Sequence, residues 1–204
     1  MAGFKKRRNM KRKRTTKKRK RPAPRNFKAV RRQYTIGTDV QMVALTGLAS
    51  DGKTFTLSSC PSYTQYTALF DQYRILGVRY EYISKGVTPT TSLADFIPMI
   101  HTVIDHDDST PFTSMQECMD DRRVKSSQFP YGARHSVYVR PRTSFDAGNV
   151  ANSAIAKWGL WLDCDTPQVL HYGLKTVFSG VIGSNITLSY DLKETWYLEF
   201  RHQI

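Results

Sequence analysis

Gly47-Leu48-Ala49-Ser50-Asp51-Gly52-Lys53-Thr54 has the spacing G-x-x-x-x-G-K-T. In a P-loop these residue types cradle nucleotide phosphates with backbone N–H groups, a lysine and a magnesium-binding hydroxyl. That chemistry requires a helix directly after the lysine, so that its N-terminus faces the phosphates. Here Phe55-Thr56-Leu57-Ser58-Ser59-Cys60-Pro61 follows, which is β-branched, aromatic and stopped by proline, and no βαβ pattern comes after it. Ser50 to Lys53 therefore reads as a turn, with Asp-Gly supplying the backbone. Asp105-His106-Asp107-Asp108 gathers carboxylates that could hold a divalent cation. It lacks the glycine and terminal glutamate of a calcium loop and reads as a solvated loop. The five histidines (His101, His106, His135, His171 and His202) form no H-E-x-x-H or H-x-H, and no G-x-S-x-G occurs. No catalytic residue, no metal site and no cofactor is assigned. Cys60, Cys118 and Cys164 are odd in number and far apart, which points to free thiols in a reducing compartment rather than a disulfide framework or zinc site. Asn185-Ile186-Thr187 matches a glycosylation sequon but reads as the start of a final strand.

The strongest chemistry lies in charge. Of 31 Lys and Arg residues, 17 fall within the first 32 positions, with no Asp or Glu among them. They are Lys5, Lys6, Arg7, Arg8, Lys11, Arg12, Lys13, Arg14, Lys17, Lys18, Arg19, Lys20, Arg21, Arg25, Lys28, Arg31 and Arg32. The rest of the chain holds 14 basic against 17 acidic side chains, a net of −3, although the whole chain is +14. A polycationic segment cannot bury enough apolar surface to offset its ordering entropy, and like charges extend it. The reading is a disordered arm over residues 1–33 that binds nucleic-acid phosphates, followed by one folded domain over residues 34–204. Lys17, Lys18, Arg19, Lys20 and Arg21 also suit a nuclear localisation signal. No apolar run of about 18 residues, no acylation glycine after the initiator and no prenylation box is present, so no membrane partner is expected.

Stepping along the domain, the elements read as strands. Ile36–Leu45, Tyr73–Ile83, Phe96–Asp105, Val124–Phe129, Arg134–Arg140, Ala156–Cys164, Leu170–Ser179 and Ile186–Phe200 carry apolar, aromatic and β-branched residues between Gly, Pro and Asn turn signals. In Tyr73–Ile83 the alternation places Tyr73, Ile75, Gly77, Arg79 and Glu81 on one face and Arg74, Leu76, Val78, Tyr80 and Tyr82 on the other. Tyr63–Phe70 and Met115–Met119 are the only short helix candidates. This pattern predicts an all-β sandwich or jelly roll. Tyr73 is expected in the core. Phe27 and Tyr34, next to arm cations, suit either packing or base stacking.

The arm, Phe70-Asp71-Gln72-Tyr73-Arg74-Ile75-Leu76-Gly77-Val78-Arg79-Tyr80-Glu81-Tyr82, Pro98 to Asp105 and the closing Trp196-Tyr197-Leu198-Glu199-Phe200-Arg201 together resemble the capsid proteins of small circular Rep-encoding single-stranded DNA viruses, of the circovirus and cyclovirus kind. The resemblance implies an eight-stranded viral jelly roll of two four-stranded antiparallel sheets. It implies a T=1 icosahedral shell of 60 copies, with the arm facing inward onto a single-stranded DNA genome. It also implies recognition of the arm by a host nuclear import receptor and assembly in the host nucleus. A host attachment receptor would exist, but no residue identifies it. Other readings stay open from the residues alone. An RNA-virus jelly-roll coat protein would share arm and fold. A ribosomal or chromatin-like protein would carry a similar tail, usually on a basic body. An NTPase would use Gly47 to Thr54.

Overall fold

Alternating apolar residues and scattered turn residues make the described part of the chain mostly strand. The computed structural model describes residues 26–42, 47–89, 97–146, 154–180 and 186–203. In chain order the strands are β1 (Phe27–Met42), β2 (Leu48–Phe55), β3 (Phe70–Pro89), β4 (Met99–Val103), β5 (Lys125–Gln128), β6 (Arg134–Val139), β7 (Arg142–Asp146), β8 (Ala154–Trp158), β9 (Leu162–Asp163), β10 (His171–Ser179) and β11 (Ile186–Gln203). Two short helices, α1 (Tyr63–Thr67) and α2 (Met115–Asp120), sit in the loops where they are expected. At α2, the Ser114 hydroxyl accepts the Glu117 N–H at 3.2 Å and the Glu117 carboxylate accepts the Thr113 N–H at 2.9 Å, so both side chains satisfy helix-start donors.

The strands form two antiparallel sheets. The first runs β1-β11-β3-β6, with β9 also on β3; the second runs β5-β4-β10-β7-β8, with β2 also on β10. Successive strands pass back and forth between the sheets, the winding of a jelly roll. The sheets hold five and six strands rather than four each. The three strands beyond the expected eight are β2, β7 and the extra piece of the expected Ala156–Cys164 strand, which is split into β8 and β9 around Gly159 (φ 67°).

Two further expectations change. The first strand begins at Phe27, inside the expected arm, and pairs with β11 from Phe27–Phe200 to Met42–Ile186. Residues Phe27–Gln33 are thus sheet, because Ala29 is buried and Phe27 stacks on Phe70 with ring centroids 5.4 Å apart. Ser50 to Lys53 is not a turn but the middle of β2. A side chain at Gly52 would run into the backbone of Ser109, so this glycine admits a crossing loop. Lys53 pairs with Asp51, and β2 leads into a 3-10 turn at Leu57–Ser59 rather than a P-loop helix.

Aromatic residues fill the space between the sheets. Phe55 meets Tyr80 and Trp196 edge-on at 5.8 and 6.0 Å, and Phe178 stacks on Tyr190 at 5.2 Å. Such pairs add to burial through favourable quadrupole geometry. Tyr73 is fully buried, as expected. Polar bonds also tie the two sheets together. The Tyr82 hydroxyl lies 2.9 Å from Thr176 Oγ1. His135 on β6 bridges Thr102 Oγ1 at 2.9 Å and Ser127 Oγ at 2.6 Å on the opposite sheet. Burial lowers the pKa of His135 to about 4, helped by the nearby Lys125 and His101.

Candidate nucleic-acid interface

The fourteen expected phosphate-binding positions from Lys5 to Arg25, with the localisation signal Lys17 to Arg21, lie outside the described residues. The remaining three, Lys28, Arg31 and Arg32, stand on β1. Strand alternation separates them. Lys28 and Arg32 point to the outer face of the first sheet and are exposed. Arg31 turns to the inner side, with its guanidinium 4.8 Å above the Tyr66 ring and its Nε enclosed without a hydrogen-bond partner. Its position serves packing at the sheet end.

The outer face carries more cations than the arm reading anticipated. One row across four strands reads Arg32, Thr195, Arg79, Tyr138. Arg79 reaches this face through a β-bulge. Tyr197 pairs with Gly77 and Leu198 with Ile75, which leaves Leu76 as the extra residue. The bulge reverses the alternation. Tyr73 and Ile75 before it, and Val78, Tyr80 and Tyr82 after it, all enter the core, while Arg74, Arg79 and Glu81 face outward. The single-period reading of Tyr73–Ile83 is corrected accordingly. Gly77 leaves room here for the Tyr138 ring lying across it, which a side chain would displace.

Acidic groups on this face are already engaged. Glu199 pairs with Arg74 and accepts from Asn26 at 3.0 Å. Burial would raise its pKa, but these bonds outweigh that and hold the carboxyl below its usual range. Asp191 accepts the Tyr34 hydroxyl at 2.6 Å, the Gly37 N–H at 3.0 Å and the Lys85 ammonium at 2.9 Å, which hold its pKa at about 2. This locks a second bulge in β1, between Thr35 and Thr38, where Gly37 takes φ 65°. The Tyr34 hydroxyl is thereby occupied, while its ring stays half exposed. Glu81 is shared by Lys193 and Arg134. Among the described residues, Lys28, Arg32 and Arg79 form no ion pair, so their charge is presented to solvent.

Tryptophans complete the surface. Trp161 lies between the guanidiniums of Arg74 and Arg201, 4.5 and 4.3 Å from its ring centre. Trp158 donates its indole N–H to the Leu76 carbonyl at 3.1 Å and lies under Arg140 at 5.3 Å. Exposed cations interleaved with flat rings are the chemistry of single-strand binding, in which phosphates meet charge and bases meet π-faces. The sequence signal for these residues was present in their types, but the bulge and the β8–β9 path that gather them are tertiary.

The other candidates resolve as structure. Asp105 and Asp108 hold Lys175 Nζ at 2.7 and 2.8 Å, under the Phe112 ring. For Lys175 desolvation disfavours the charge, but both carboxylates outweigh it and its pKa rises. Cys60, Cys118 and Cys164 are buried free thiols, and burial pushes Cys60 and Cys164 up to about 12, far from the thiolate needed for reactivity. Among the described residues no helix is long and apolar enough to cross a membrane.

The sequence profile of the circovirus capsid protein family matches residues 3–204. The fold is similar to that of BFDV capsid protein in a 60-mer crystal structure, with a TM-score of 0.61 at 17% identity over 89% of this chain and 96% of that one. It is also similar to a decameric BFDV capsid protein, with a TM-score of 0.54 at 16% identity over 87% and 100%. A cryo-EM structure of mud crab tombus-like virus gives a TM-score of 0.51 at 13% identity over 100% and 92%. At these identities the likeness is one of fold. No curated protein sequence matches the chain.

Proposed function

The chain belongs to the circovirus capsid protein family and is a viral capsid protein; from that premise we propose that 60 copies close a T=1 shell around a circular single-stranded DNA genome, gripped by the basic arm. The observation that carries this reading is the placement of 17 cations and no acid in the first 32 residues, ahead of a body of net charge −3. The arm neutralises phosphates and releases their counterions, so binding is tolerant of sequence and steeply salt-dependent. Sixty such arms supply about a thousand positive charges, which suits a genome of roughly one to two kilobases at partial to full neutralisation. The body acts as a structural wall without catalysis. The run Lys17 to Arg21 directs newly made protein to the host nucleus through an import receptor, and the assembled protein resides in the virion.

Electron microscopy of the purified full-length chain, with absorbance of co-purified nucleic acid, tests this directly. Closed uniform particles whose contents yield to DNase are the expected result, and RNase-sensitive contents would move the reading to an RNA coat protein. Removal of residues 1–25 leaves β1 intact and takes away fourteen of the arm's cations. Tight DNA binding and nuclear accumulation are then lost, and the slope of log affinity against log salt falls by up to about 10. Tight binding by the truncated chain at physiological salt would contradict the arm's role.

A further inference from the structure

Tyr138, Trp158, Arg140, Arg142, Ile104 and His106 line an open cleft of about 400 Å³ at the β6 edge of the first sheet. Its volume lies in the range of small-ligand clefts and leaves room for a single nucleotide. Both rings are offered to solvent, Tyr138 at 41% and Trp158 at 46% exposure. Both are also fixed from behind. Trp158 is held by its bond to the Leu76 carbonyl, and Tyr138 lies on Gly77 with its ring 5.8 Å from that of Tyr197. Rings set in advance lose little freedom when a flat ligand stacks on them. No carboxylate lines the cleft, and Arg140 and Arg142 form no ion pair among the described residues.

We propose that this cleft is a stacking site on the capsid wall for an unpaired base of single-stranded nucleic acid, with Arg140 and Arg142 meeting the adjoining phosphates. The inference rests on the genome-packaging reading and adds to it a contact made by the folded domain. Position supports it. Lys28 and Arg32 on β1, Arg79 on β3 and Tyr138 on β6 share the outer face of one sheet. Arg32 stands on β1 at the opposite edge, about 15 Å from Tyr138 at three strand spacings, and the chain ahead of β1 enters five residues earlier, at Phe27. A strand held by the arm therefore crosses Arg32 and Arg79 to reach the cleft. Stacking is indifferent to base identity, as a packaging surface requires.

Full-length protein bound to an oligothymidylate of about 20 nucleotides carrying 5-bromodeoxyuridine is irradiated and the cross-linked peptides are sequenced. Cross-links at Tyr138 or Trp158 are expected, besides those in the arm. In titrations, Trp158→Ala weakens affinity about 5- to 100-fold without changing the salt slope. Trp158→Phe, which keeps a ring, retains most of the affinity and guards against a folding defect. Arg140→Gln with Arg142→Gln lowers the slope by about 1.4. Cross-links confined to residues 1–32, or unchanged affinity in folded Trp158→Ala, would overturn the stacking site while leaving packaging by the arm intact. Failure of the wild-type chain to bind the oligonucleotide at all would overturn both.

Discussion

The two sheets treat charge on their outer faces in opposite ways. On the first sheet Lys28, Arg32 and Arg79 stand exposed and unpaired among the described residues. On the second sheet the corresponding surface is roofed by the segment between β4 and β5. Phe112, Met115, Cys118 and Val124 of that segment pack on Leu48, Val103 and Val177. Beneath this roof Lys175 is 7% exposed and held by two aspartates. A cation left open is available to a polyanion, whereas a cation under a roof must bring its own counterions. The face next to the arm thus keeps free positive charge across its middle, whereas the roofed part of the second face does not.

This contrast can be broken at both ends. The largest effect is expected from Asp105→Asn with Asp108→Asn, which leaves the Lys175 ammonium buried without its anions and costs about 3–5 kcal/mol in denaturant unfolding. A cost within about 0.5 kcal/mol would mean that the roof opens readily and that the second face is not closed. The seam between the sheets comes next. His135 is neutral in the fold, with its pKa lowered from 6.5 to about 4, so the unfolded chain binds the extra proton first. Stability is full above pH 6.5 and declines by about 3 kcal/mol as pH falls toward 4. His101, His106 and His171 are shifted in the same direction by burial. Urea midpoints across that window, compared with His135→Gln, check its share, and an unchanged slope in the variant would place the effect elsewhere. The smallest effect on stability belongs to Arg32→Gln with Arg79→Gln. Unfolding moves by no more than about 0.5 kcal/mol, while the salt slope for single-stranded DNA falls by about 1.4. A large loss of stability there would make these arginines structural, like Arg31.

Much of the fold was legible because strand periodicity is local. The eight expected strands each contain or overlap an observed one, and the two helix candidates lie where Tyr63 and Met115 begin them. What escaped was set by partners distant in sequence. Lys28 to Gln33 looks like arm by charge, yet β11 recruits it into a sheet. The Asp-Gly of Asp51-Gly52 has turn chemistry, yet Ser109 crosses it and the strand runs straight. The Leu76–Gly77 bulge moved Arg79 to the opposite face from Tyr73, a change that no fixed period of two can anticipate. Asp105 and Asp108 advertised a cation but not which one, since Lys175 lies about seventy residues on. For the proposed binding surface, the basic run of residues 1–32 is a feature of composition alone. The tryptophan cleft is not, because Tyr138, Arg142 and Trp158 meet only after β7 and β8 fold back.

The pairing of β1 with β11 also governs how the chain can come off the ribosome. β11 occupies an interior position in the first sheet, between β1 and β3, and Phe27 waits for Phe200. β1 therefore has no partner in that sheet, and β3, although it can already pair with β6, keeps one edge open until the last described strand has been translated, a contact pattern that slows folding. During that interval β1 and β3 offer open edges to neighbouring nascent chains. The 14 Lys and Arg residues ahead of β1 give neighbouring nascent chains like charge, which opposes their association during that interval. The charge proposed to gather nucleic acid late thus also disfavours contact between unfinished chains early.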